Sequence, residues 1–194
     1  IRNVDAIIHI VRCFENKDVI HVDGNINPMR DIEVINTELI LRDIESIDKR
    51  IKSIEKLAKS GEKESKKEFN LLSQLSQHLN EGNLIVDLNL SSEDKFKLKS
   101  FSLLTSKPII YVANIGDDDL LDMNNIHYEK LLKLAQEKDK SLLALSGSIE
   151  MEISTMPPED QTEYLKQFGL KESGLNKMIR HAYKILNLET FFTA

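Results

Sequence analysis

A chain of 194 residues can bury one sizeable core with a small appendage. With 41% hydrophobic and 30% charged residues it reads as a globular protein, and no apolar run approaches the roughly 18 residues a membrane helix needs, so no membrane role is expected. The net charge of −6 argues against a general coat for nucleic acid. The single cysteine, Cys13, excludes an internal disulfide, and no leader pattern opens the chain, so a cytoplasmic location is expected. The sequence begins at Ile1 without an initiator methionine and enters a strand pattern almost at once, from which a longer parent protein is expected.

In chain order, residues 5 to 14 form a short β-branched run of the kind that makes a strand buried on both faces of a parallel sheet. From Glu33 to about Lys59, Ile40, Ile44, Ile47, Ile51 and Ile54 recur at spacings of four and three, the seam of a coiled coil. Ser60 to Lys63 is a turn candidate. A second helix then carries Phe69, Leu72, Leu75 and Leu79 on one face and reaches Gly82, placed for a left-handed cap. The two make an antiparallel helical hairpin. Lys107 to Ile115 predicts a second strand with Pro108 at its entrance, and Ser141 to Ser146 a third. Helices are predicted over Asn125 to Lys138, Pro158 to Phe168 and Gly174 to Leu186. Strands alternating with helices predict an α/β fold with a parallel sheet.

Charge concentrates near the hairpin tip. Between Lys49 and Lys67, eight basic residues (Lys49, Arg50, Lys52, Lys56, Lys59, Lys63, Lys66, Lys67) face three acids, a net of +5 in an acidic chain. Such a run is either a solvated helix end or a footprint for RNA or a ribosomal surface.

The motif that carries chemistry lies at two strand ends. Asn114-Ile115-Gly116-Asp117 closes the second strand, and Ser146-Gly147-Ser148 closes the third. Open parallel sheets bind ligands at the carboxyl ends of their strands. An amide followed three residues later by a carboxylate can hold a loop and accept from the donors of a purine edge, while a small-residue turn offers backbone N–H groups. The plainer alternative is that Asn114 and Asp117 only cap a turn and the helix beyond. Elsewhere, the five histidines show no metal-ligand spacing, and His9 reads as a core histidine. Cys13 reads as buried and inert, Tyr183, Phe191 and Phe192 as packing residues, and Glu150 and Glu152 as lacking a partner for acid–base work. No catalytic residue and no metal ligand is named in this chain.

The stretches Asn3 to Asn16, Asp31 to Leu39, Lys107 to Asn114 and Leu186 to Ala194 resemble the YchF family of Obg-like ATPases. The resemblance implies a partial P-loop NTPase (G-domain-like) fold with an inserted coiled-coil hairpin. Its domains would be a first G-domain part at 1–33, the hairpin at 34–85, and a second G-domain part with the base-recognition loops at 86–194. It implies base contacts from Asn114, Ile115, Asp117, Ser146, Gly147 and Ser148, with ATP as nucleotide, Mg²⁺ accompanying it, and the ribosome or RNA as partner. The phosphate loop, the magnesium-binding switch residues and a C-terminal TGS domain would lie outside this chain. No Gly-x-x-x-x-Gly-Lys-Ser/Thr string occurs in the sequence, so the piece alone is expected not to hydrolyse nucleotide. The family usually carries Glu where this chain has Asp117, the residue of guanine readers, which keeps GTP as a second candidate. The rival class is a non-catalytic RNA- or protein-binding hairpin on a degenerate nucleotide-binding scaffold.

Overall fold

The computed structural model describes residues 4–15, 25–189 and 191. His21 and Phe192 lie outside them. The chain forms two compact units, one of residues 1–5 and 33–107, the other of residues 6–32 and 108–194.

The first unit is helical. Residues 33–59 of α1 (Pro28–Lys59) belong to it; the helix begins five residues before the apolar seam, with Pro28 at its first position and Asn27 Oδ1 accepting from the Arg30 N–H at 3.2 Å. Along the seam the seven-residue set Ile40, Ile47 and Ile54 is buried, whereas Ile44 and Ile51 are half-buried. Gly61, at φ +92°, turns the chain into α2 (Lys63–Asn80), whose N-terminus is capped by Glu62 accepting from the Ser65 N–H. This helix buries Leu71, Leu72, Leu75 and Leu79 and ends at Gly82, φ +81°. Arg50 on α1 and Glu68 on α2 meet at 2.5 Å, so the arms run antiparallel about the tip.

Residues 86–107, assigned from sequence to the second G-domain part, share the hairpin's compact unit. They contain α3 (Ser92–Phe101), a helix not expected from the sequence pattern. The loop after α3 is tied back to α1 by Asp43. This carboxylate is 1% exposed and accepts from Leu104 N at 2.9 Å, Thr105 N at 2.7 Å and Thr105 Oγ1 at 2.7 Å.

The second unit holds a parallel sheet of order β1-β2-β3: β1 (Ile7–Arg12), β2 (Ile109–Asn114) and β3 (Ser141–Leu145). Only β2, flanked by a strand on each side, is buried along nearly its whole length. The expectation of a first strand buried on both faces fails. Val11 is buried, but Ile8 and Ile10 are 41% and 61% exposed, because β1 stands at the edge of the described sheet and these two point to its uncovered face.

After β2 come α4 (Asp117–Asp122) and α5 (Ile126–Glu137), and α5 packs on β2 and β3. After β3 come α6 (Gly147–Thr155), α7 (Pro158–Gln167) and α8 (Gly174–Ile185), the last against β3. Tyr183 and Phe191, read as packing residues, are 45% and 82% exposed. Among the described residues no helix is long and apolar enough to cross a membrane.

His9 sits half-buried on β1 with its ring 5.7 Å from that of Tyr111. Burial pulls its pKa below the ordinary 6.5, and the charge of Asp31 only partly opposes this. The folded protein therefore holds this proton less tightly than the unfolded chain does. The contribution of His9 to stability is complete above pH 6.5 and is lost as the pH falls toward its folded pKa. Thermal unfolding followed from about pH 7 down to about pH 5 should show a falling midpoint. In His9→Gln that part of the slope should be gone.

Candidate functional site

The site is built where the sheet ends. Arg12, Asn114 and Leu145 stand side by side as the last paired residues of the three strands. Two further backbone bonds carry the pairing past the strand ends, Cys13 N to Asn114 O at 2.8 Å and Ile115 N to Leu145 O at 3.0 Å. These bonds fix the directions in which the loops after β2 and β3 leave the sheet.

The two loops then bind each other through the residues singled out from sequence. Gly147 N donates to Asn114 Oδ1 at 3.0 Å, so the amide oxygen fastens the third-strand loop to the second. The Oγ atoms of Ser146 and Ser148 both donate to Asp117 Oδ1 and lie 2.9 Å from each other. Ser146 also caps α6, its Oγ accepting from Ile149 N. Gly116 caps α4 without a side chain, leaving Asp117 at the first helical position, where a carboxylate is favoured by the helix dipole. Asn114 and Asp117 are half-buried, Gly147 and Ser148 are exposed, and Ser146 is 1% exposed.

Ile115 stands apart from this group. Its side chain is 2% exposed in the core and its N–H is bound to Leu145, so it offers a ligand no more than its carbonyl. Sequence reasoning also missed a supporting residue. Asn125, placed inside a helix from sequence, is instead the cap of α5: its Oδ1 accepts from His127 N and Tyr128 N, both at 2.9 Å. Its Nδ2 donates to Cys13 O at 2.8 Å and Asp119 Oδ2 at 2.7 Å, joining β1, α4 and α5. Only its place one residue before an amphipathic run could have signalled the cap. The Arg12 guanidinium lies 4.8 Å over the Phe14 ring. Cys13 is fully buried, and burial, with the charge of Asp31 adding to it, pushes its thiol up to about 12, which makes it inert.

Glu150 also has a structural task. Its carboxylate accepts from Gly174 N at 2.6 Å and Leu175 N at 3.1 Å and so caps α8, while Glu152 accepts from the Tyr164 hydroxyl. The basic hairpin residues belong to the other unit and all eight are exposed. Arg50, Lys59 and Lys67 are paired with acids, whereas among the described residues Lys49, Lys52, Lys56, Lys63 and Lys66 make no ion pair.

No protein-family model matches the chain. Curated proteins do match along its full length. It is 39% identical over 194 residues to the ribosome-binding ATPase YchF of Escherichia coli O157:H7, 38% identical over 195 residues to that of Bacillus subtilis (strain 168), and 41% identical over 196 residues to that of Mycoplasma genitalium. Along its whole length the chain is similar to the YchF family. Each match takes in 100% of the chain and 53% of the relative, so the chain spans about half the length of the curated YchF proteins it matches. A solved structure agrees: that of the Schizosaccharomyces pombe YchF GTPase superposes with a TM-score of 0.88 at 31% identity, covering 100% of this chain and 53% of that one. The α/β fold with its parallel sheet is therefore that of a YchF P-loop NTPase.

Proposed function

We propose that the intact protein is a ribosome-associated, ATP-hydrolysing P-loop protein, and that this chain supplies its base-recognition loops and its helical hairpin. One observation carries the reading. Asn114, Asp117, Ser146, Gly147 and Ser148 are hydrogen-bonded into a single cluster at the carboxyl ends of parallel strands, the place where open α/β sheets hold ligands. In this reading the sheet unit is the G domain and the hairpin is its insertion. The names of the relatives, ribosome-binding ATPases, support both the nucleotide and the partner.

Each group has a part to play. Asn114 spends its oxygen on Gly147, and its Nδ2 meets no protein acceptor among the described residues, so that amide hydrogen is left for the base. The first N–H groups of α6 have no partner within their own helix, and that of Ser148 can donate to a base acceptor, a ring nitrogen of adenine or O6 of guanine. Asp117 accepts from base donors. Mg²⁺ is expected with ATP in the intact protein, yet among the described residues no group of three or more acids, histidines or cysteines could hold a metal. In this reading the magnesium ligands and the phosphate loop are supplied by parts of the parent protein outside this chain. A cytoplasmic location follows from a ribosomal partner.

ATP stands first. A second reading, GTP, is favoured by the carboxylate of Asp117, since guanine presents N1–H and an amine to an acceptor whereas adenine presents a bare N1. Titrating the intact protein with both nucleotides separates the readings: tighter ATP binding is expected, and tighter GTP binding abolished by Asp117→Ala would reverse the preference. Asn114→Ala unfastens the two loops and should weaken whichever nucleotide binds by about tenfold or more. Full affinity in that variant would mean the cluster is a structural cap.

The hairpin carries its own test. Reversing charge at Lys52, Lys56 and Lys63, which have no acidic partner among the described residues, should weaken association with ribosomes and make it less sensitive to salt. Unaltered binding would mark the tip as a solvated end.

A further inference from the structure

Asp117 is surrounded asymmetrically. Both serine hydroxyls donate to the same oxygen, Oδ1, and among the described residues no protein donor reaches Oδ2. A carboxylate oxygen has two lone-pair sites, so Ser146 and Ser148 fill Oδ1 and leave one oxygen open. Guanine presents two adjacent donors, N1–H and the 2-amine, which bind a carboxylate best when each takes one oxygen. Adenine presents one amino donor beside one acceptor, N1. The cluster fits the second pattern: Oδ2 accepts the adenine amino hydrogen, and a serine hydroxyl turns from Oδ1 to donate to N1, which removes the repulsion between a carboxylate and a bare ring nitrogen.

We infer that Ser148 is the specificity-determining residue of this site, its hydroxyl adapting a guanine-type aspartate to adenine. The inference rests on the base-recognition reading of the cluster. Of the two serines, Ser146 is buried and caps α6, so its hydroxyl is held in place; Ser148 is exposed beside it and free to turn. Removing the Ser148 hydroxyl takes away the donor for adenine N1 and reopens a lone pair on Oδ1 for guanine.

The test is calorimetric titration of the intact protein with ADP and GDP, comparing wild type, Ser148→Ala and Ser148→Thr. Ser148→Ala should shift the ratio of affinities toward GDP by about tenfold, the worth of one hydrogen bond. Ser148→Thr, which restores a hydroxyl, should return the ratio to the wild-type value. If Ser148→Ala lowers both affinities equally, or leaves both unchanged, Ser148 only supports the loop and the inference fails while the base site stands. If wild type binds neither nucleotide, the base-recognition reading falls and takes this inference with it.

Discussion

Asp43→Ala should destabilise the helical unit by about 3 to 5 kcal/mol, read as a lowered urea midpoint in the helical signal of the intact protein. The size follows from what the carboxylate holds. It is 1% exposed and accepts from two backbone N–H groups and one hydroxyl, all from the loop after α3. Alanine leaves the N–H groups of Leu104 and Thr105 inside the protein with no acceptor, each at a cost of about 1 to 3 kcal/mol, and opens a small void as well. Thr105→Val is the informative companion. It removes only the hydroxyl bond, keeps both backbone bonds, and should cost about 1 kcal/mol. Equal losses in the two variants would mean that packing, and not the backbone bonds, gives Asp43 its importance.

Gly174→Ala is the second large effect, and it joins the architecture of the sheet unit to the site. A Cβ built on Gly174 would lie 2.6 Å from Leu145 Cβ and 3.0 Å from Glu150 Oε1. Leu145 Cβ is fixed to the backbone of β3 and cannot swing aside, so either the start of α8 or the end of β3 must move, at about 1 to 3 kcal/mol. The displaced strand end is the residue before Ser146, and the displaced carboxylate is the cap of α8. A lower melting temperature is expected together with weakened nucleotide binding. Leu175→Ala, one residue on and 50% exposed, should do neither. A variant that melts earlier but binds nucleotide normally would show that the strain relaxes through α8 alone.

Much of this was legible in the sequence, and the reasons differ by element. β2 could be read because both of its faces are covered, so every position before Asn114 is apolar or aromatic. The hairpin could be read because Ile40, Ile47 and Ile54 repeat on one arm while Leu72, Leu75 and Leu79 answer on the other. The short helices α3, α4 and α6 could not. α4 and α6 are 6 and 9 residues long, α3 leaves Phe96 exposed and buries only Leu98, and three consecutive aspartates open α4 as they would open a turn. The loops of the candidate site were located by strand-end logic. Their cross-links, such as Asn114 to Gly147, join residues 33 apart and are invisible to any local pattern. Asp43 was hidden for the same reason: its partners lie 61 and 62 residues further along.

That long reach bears on the order in which the chain folds. β2 pairs with β3 across about thirty positions, but β1 pairs with β2 across about a hundred, most of them in the helical unit. Closing the longer loop costs more chain entropy and comes late unless something shortens it. Asp43 is such a clasp. Once its carboxylate holds Leu104 and Thr105, the stretch between becomes one folded insert, and β1 has only a few tens of residues of loose chain left to close. The same side chain that steadies the helical unit is thereby expected to set the pace at which the edge strand joins its sheet.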